Sequence, residues 1–168
     1  MAAETLRPNG AGDETAIKSQ YPDSTYHWDK VDEEVADDAD TRVWGLYGKD
    51  RDLYALPSHS VGSGTISKIT VFFRCLSQYG VGKAAASIKA GSTVADGSWK
   101  TVASSYTTYS SEWSTNPDTG NPWTWDDIDA LQAGVHLDYT SEGVACTQVY
   151  VEVEYSASSY SQHIMLWG

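Results

Sequence analysis

The sequence predicts an all-β fold: two antiparallel sheets packed as a jelly-roll-like sandwich, with one short helix and extended terminal arms. Three observations predict it. Aromatic usage is skewed to Trp (7) and Tyr (11) over Phe (2), and Ser, Thr and Gly are abundant, as strands and turns require. Two long stretches alternate strictly between apolar and polar positions. About eight extended segments are separated by turn signals.

Residues 1–41 read as an irregular N-terminal arm, with turns at Pro8-Asn9-Gly10, Gly12-Asp13 and Pro22-Asp23-Ser24 and many carboxylates from Asp29 to Asp40. The sandwich is expected over 42–155. Arg42 to Tyr47 and Arg51 to Leu56 are short strands around the Gly48-Lys49-Asp50 turn, and Pro57 ends the second. In Ile66 to Leu76, Ile69, Val71, Phe73 and Cys75 share one face, and Lys68, Thr70, Phe72 and Arg74 the other. Lys83 to Ala90 has helical propensity, but its length and flanking glycines favour a strand. Asp96-Gly97 is a hairpin signal. Trp99 to Val102 and Ser104 to Trp113 are extended. After the rigid loop Asn116 to Trp123, Thr124 to Leu131 reads as the helix, with Thr124 as N-cap and Asp127 completing a capping-box variant. Val135 to Tyr139 resumes extended structure. In Ala145 to Tyr155, Val149, Val151 and Val153 oppose Tyr150, Glu152 and Glu154. Residues 156–168 form a Ser-rich hinge and an apolar tail.

Charge narrows the function. Lys plus Arg is 11 against 23 Asp plus Glu, a net charge of −12. Nucleic-acid binding by phosphate neutralisation and docking on an anionic leaflet are both disfavoured. No run approaches the roughly 18 apolar residues of a membrane span. The N-terminus lacks the basic and apolar regions of a secretory signal, so synthesis in the cytoplasm is expected.

No catalytic or metal-binding constellation emerges, and no cofactor is expected. His27, His59, His136 and His163 are scattered without zinc spacing and read as loop or surface residues. Asp126 and Asp129 form a carboxylate pair, but capping already accounts for the acidic start of the helix. Asp37, Asp38 and Asp40 offer loop oxygens for calcium, yet lack the glycine and distal glutamate of an EF-hand; a solvated acidic loop is the simpler reading. No nucleophile elbow or phosphate loop is present. Cys75 and Cys146 lie on the two strongest strands. A bridge between them is geometrically possible, but two buried free thiols is the reading favoured.

The aromatic residues carry more information. Trp99, Trp113, Trp123 and Trp125 fall close together, fit to fill the core, anchor an interface or stack on a glycan. The tail residues Ile164, Met165, Leu166 and Trp167 are costly to leave in water. With Leu6 of the N-terminal arm they are the candidates for an assembly interface.

Several segments carry a resemblance as a set: Leu6-Arg7-Pro8-Asn9, His27-Trp28-Asp29-Lys30-Val31-Asp32, Arg51-Asp52-Leu53-Tyr54, Asn116-Pro117-Asp118-Thr119-Gly120 with Trp123-Thr124-Trp125, Ala130-Leu131-Gln132-Ala133-Gly134-Val135, and Cys146-Thr147-Gln148-Val149-Tyr150-Val151-Glu152-Val153. Over about residues 5–155 the chain resembles a β-sandwich module of tailed-bacteriophage structural proteins, with related copies in prokaryotic surface proteins. The resemblance implies a non-enzymatic virion protein made in the host cytoplasm. The specific expectation is a capsid decoration or head-stabilising subunit, trimeric, assembling with the major capsid protein and other virion proteins. It transfers no catalytic residues. It also suggests an Arg51–Asp52 ion pair at a strand start and Trp123-Thr124-Trp125 plugging one end of the sandwich. The alternatives are a carbohydrate-binding or adhesin module of a tail fibre, using the tryptophans at 99–125, and a subunit of an extracellular filament.

Overall fold

The computed structural model describes residues 1–24, 26–61, 63–140 and 143–158. The strands are β1 (Ala2–Leu6), β2 (Gly10–Thr15), β3 (Ser19–Tyr21), β4 (Arg42–Gly45), β5 (Lys49–Ala55), β6 (Thr65–Ser77), β7 (Lys83–Ala90), β8 (Thr93–Asp96), β9 (Lys100–Thr101), β10 (Thr107–Trp113), β11 (Gln132–Asp138) and β12 (Val144–Ser156). Among the described residues the one α-helix, α1 (Trp125–Asp129), lies between β10 and β11, and a 3-10 turn covers Trp28–Lys30. One sheet has the order β10-β6-β12-β4-β3, with β1 also on β12; the other runs β2-β5-β11-β7-β8, with β9 also on β7. The ladders are antiparallel, and the expected all-β sandwich with one short helix is what the chain forms.

The core lies between the sheets, and the alternation of β6 and β12 places it. Ile69, Val71, Phe73 and Cys75 meet Val149, Val151 and Val153 from across the ladder, all fully buried. The opposite faces carry Phe72 stacked on Tyr150 (ring centroids 4.8 Å apart) and Lys68 paired with Glu112 and Glu154. From the second sheet, Ala84, Ala86 and Ile88 of β7 and Ala133, Val135 and Leu137 of β11 complete the core. The strand over Lys83–Ala90 therefore overrides its helical propensity, because its apolar face is buried against another sheet. At α1, Thr124 accepts from the Asp127 amide while the Asp127 carboxylate accepts from the Thr124 amide, the expected capping box.

Four expectations change. The opening segment is not irregular: β1 pairs with β12, β2 with β5 and β3 with β4. Their side chains are mostly polar or small, so backbone pairing rather than a hydrophobic pattern places them. Leu6, expected at an interface with other subunits, is 2% exposed in the core of its own chain. The hairpin after β7 turns at Gly91, in the left-handed region (φ 55°), and not at Asp96-Gly97. Arg51 and Asp52 do not pair: Arg51 binds Glu14 and Asp96, whereas Asp52 is buried.

The acidic stretch folds onto the sheet. β4 takes the start of β12 and β1 takes its end. Between them the ladder shifts register across Cys146/Gln148, and Val149 N–H donates to Val31 O (2.8 Å). Thr147 donates to Thr41 O (2.8 Å) and Gln148 to Glu33 O (2.8 Å). A bulge thus frees side chains that pin residues 31–41.

Candidate functional site

A broad concavity lies where the open edges of the two sheets meet. It measures about 530 Å³ and is lined by Asp96, Gly97, Ser98, Lys100, Ser110, Ser111, Glu112 and Trp113. That is within the ~300–1,000 Å³ of small-molecule clefts. One wall is the turn between β8 and β9; the other is the end of β10. Both β8 and β9 pair with β7, so residues 97–99 loop out from its edge. The Gly97 amide donates to Ala86 O (2.8 Å). Any Cβ at Gly97 would collide with the Ser111 side chain, so glycine is what lets the turn close on β10. Beneath it, the Ser111 hydroxyl oxygen is buried without a hydrogen-bond partner, a polar atom that calls for a water or a ligand hydroxyl.

Trp113 is held from behind. Its carbonyl accepts from the indole N–H of Trp123 (2.9 Å), and Trp123 is buried at 4% exposure. The rigid loop before α1 therefore fixes the end of β10.

Asp96 is the electrostatic anchor of the groove. It accepts from Ser87 and Arg51 and pairs with His136 Nδ1 at 2.9 Å. Burial alone would raise its pKa, but the hydrogen bonds from His136 and Ser87 and the nearby positive charge hold it down at about 2. It is thus a fixed carboxylate, unsuited to general-acid work. Glu112 is held by Lys68 (2.6 Å). Ser98, Ser110 and Lys100 make no side-chain hydrogen bond among the described residues, which leaves two hydroxyls and an ammonium for a polar ligand.

The other marked surface is apolar and sits at the far end of β12 from α1. Trp44, Leu46, Leu76, Val144 and Ala145, with Arg42 and Gln78, line a cleft of about 220 Å³. Next to them in the chain, Tyr47 is 82% and Tyr79 74% exposed. Tyr47 has φ 60°, a strained conformation for a bulky side chain. Its amide donates to Tyr139 O (2.9 Å), and the Tyr139 amide to Gly48 O (2.9 Å).

The four expected tryptophans separate. Trp113 lines the groove. Trp99 lies beside it on the outer face of the second sheet, 37% exposed, its ring 4.8 Å from that of His136 and 4.7 Å from Lys49 Nζ. Trp123 is core, not a contact platform. Trp125 packs edge-on to Tyr155 (5.3 Å) and over His59 (4.8 Å), donating to Gly64 O (3.0 Å). Ile164, Met165, Leu166, Trp167 and His163 lie outside the described residues.

The remaining histidines are not loose surface groups. His27, His59 and His136 each pair through Nδ1 with an aspartate: Asp52 (2.6 Å), Asp129 (2.7 Å) and Asp96 (2.9 Å). Asp52 also accepts from the Ala16 and Ile17 amides (2.8 and 2.9 Å) and from Tyr54 (3.1 Å). Partners 25 to 70 residues apart leave no local signal. In the acidic loop, Asp38 binds Arg74 (2.6 Å) and Asp37 accepts from Thr41 (2.9 Å). Among the described residues no group of three His, Cys, Asp or Glu is arranged to hold a metal ion.

No family model and no curated protein matches the chain. Solved structures resemble it in architecture. They include the CBM35 from Cellvibrio japonicus Abf62 (10% identity, 92% of this chain and 95% of that one, TM-score 0.48). The C-terminal CBM6 of the marine laminarinase LamC from Zobellia galactanivorans is similar (12% identity, 91% and 100%, TM-score 0.46). So is a carbohydrate-binding module of Cellvibrio mixtus lichenase 5A in complex with cellotriose (10% identity, 92% and 98%, TM-score 0.46). At these values the likeness is one of β-sandwich architecture and transfers no binding residues.

Proposed function

We propose that the chain is a non-catalytic binding module that holds a saccharide in the groove between the β8–β9 turn and β10. One observation carries this reading: a cleft of about 530 Å³ that combines the Trp113 indole with serine hydroxyls and charged groups. Sugars present apolar faces ringed by hydroxyls, so an aromatic surface beside fixed donors and acceptors suits them. The test is affinity electrophoresis against a panel of plant, algal and bacterial polysaccharides, wild type beside Trp113→Ala. Retardation by at least one polysaccharide, weakened about tenfold or more in the variant, is expected. No retardation across the panel contradicts the reading.

A second reading is a subunit of a virion, assembling with capsid proteins or with copies of itself. It is favoured by the apolar cleft at Leu46, Leu76 and Val144 beside exposed Tyr47 and Tyr79. Leu46→Asp should then lower the oligomeric mass seen by light scattering while the unfolding temperature stays within a few degrees. A monomer in both proteins at high concentration contradicts it.

A further inference from the structure

We propose that Cys75 and Cys146 are a covalent cross-link site: folding in the presence of a disulfide oxidant closes a bridge between them and staples β6 to β12. In the ladder of these two strands, Cys146 and Cys75 are direct partners. Facing residues of an antiparallel pair lie about 4.5–5.5 Å apart between Cα atoms and point to the same side. A disulfide spans roughly 4.4–6.8 Å between Cα atoms, so the pairing is within reach of one once the facing Cβ atoms, about 4.5–5.5 Å apart in such a ladder, draw slightly together. Both thiols are free and fully buried. Burial, then the neighbouring Cys146 side chain, push the Cys75 thiol well above the ordinary thiol range. The Cys146 thiol donates weakly to Gln148 O (3.5 Å), at the end of the bulge. With 2 cysteines in the chain, one molecule has a single pairing open to it.

The bridge joins the strands that carry the centre of the first sheet and encloses about 70 residues between them, a loop long enough for a cross-link to constrain the unfolded chain strongly. The chemistry balances with glutathione disulfide as oxidant. One cysteine thiolate attacks a glutathione sulfur, and the mixed disulfide forms as glutathione thiolate leaves and takes up a proton. The second cysteine thiolate attacks the cysteine sulfur of that mixed disulfide and expels the other glutathione. Two protein thiols are oxidised and one glutathione disulfide is reduced to two thiols. Burial bars the oxidant from the folded sheet, so exchange takes place before β6 and β12 close.

The test refolds the full chain from denaturant in two buffers, one with glutathione disulfide and glutathione, the other with excess reductant. Thiols are then counted in denaturant, and intact mass and thermal unfolding are recorded, with Cys75→Ala/Cys146→Ala as the thiol-free reference. The expected product of the first buffer is a monomer with no titratable thiol, lighter by about two hydrogens, unfolding roughly 10 °C above the reduced form. Reductant added in denaturant, followed by refolding, should restore two thiols and the lower transition. Two free thiols after oxidative refolding, disulfide-linked dimers, or a bridged monomer no more stable than the reduced one would each overturn the proposal. If the double variant fails to fold, the two forms of the native sequence still decide the matter.

Discussion

The groove and the apolar end are two openings of one sandwich, built in opposite ways. At the groove, the walls are tied by polar contacts: Asp96 holds Ser87, Arg51 and His136, and the Trp113 carbonyl is tied to Trp123. At the apolar end, Trp44, Leu46 and Leu76 form a cleft without a charged anchor beyond Arg42, and its neighbour Tyr47 is strained and exposed. The first is shaped before anything binds, which lowers the ordering cost of a small polar ligand. The second gains chiefly by being covered. A saccharide suits the first and a protein surface the second.

The largest way to break this contrast is to remove what supports the groove from behind. Trp123→Ala should cost about 3–5 kcal/mol, with loss of both cooperative unfolding strength and groove binding; thermal unfolding by near-UV circular dichroism measures it. A smaller, separable effect is expected from Trp113→Ala. Saccharide binding should weaken by about 1–3 kcal/mol while calorimetric titration of an apolar-end ligand, or self-association, is unchanged.

Acid should remove the contribution that Asp96 makes at the groove. The Asp96 pKa is lowered by folding from 3.8 to about 2, so its contribution is complete above pH 4 and is lost as pH falls through the window from about 4 to about 2. With this carboxylate partly exposed to screening, about 1–2 kcal/mol is expected. Urea melts at pH 5 and pH 2.5 should show that loss in the native protein, and a smaller one in Asp96→Asn. The smallest change sharpens the other end. Tyr47→Gly relieves a left-handed conformation and should stabilise by about 0.5–1 kcal/mol, visible as a higher urea midpoint, with groove binding unaltered.

What could be read beforehand follows from how each part is held. β6 and β12 are long and bury one face, so their period of two is written in Ile69 to Cys75 and Val149 to Val153. The helix was legible because Thr124 and Asp127 cap it locally. β1 and β2 were not: Ala-Ala-Glu-Thr and Gly-Ala-Gly-Asp carry no apolar alternation, and only backbone pairing with β12 and β5 makes them strands. Trp113 stood out as an aromatic candidate, but nothing local separated it from Trp123, which is core because the Asn116 to Trp123 loop folds under β10. Asp96 and Ser98 come from the end of β8 and the turn after it, and Ser111 from β10 in the other sheet. The one local hint was Gly97 between an aspartate and Ser98-Trp99, a small residue where two backbones approach closely.

The most direct test of groove binding is a titration of the isotope-labelled chain with a saccharide selected by electrophoresis, following the indole N–H signals of its 7 tryptophans by NMR. The Trp113 signal should shift in proportion to saturation, with the hydrogen-bonded Trp123 moving less and Trp44 unmoved. A titration in which Trp44 shifts and Trp113 stays still would contradict the account.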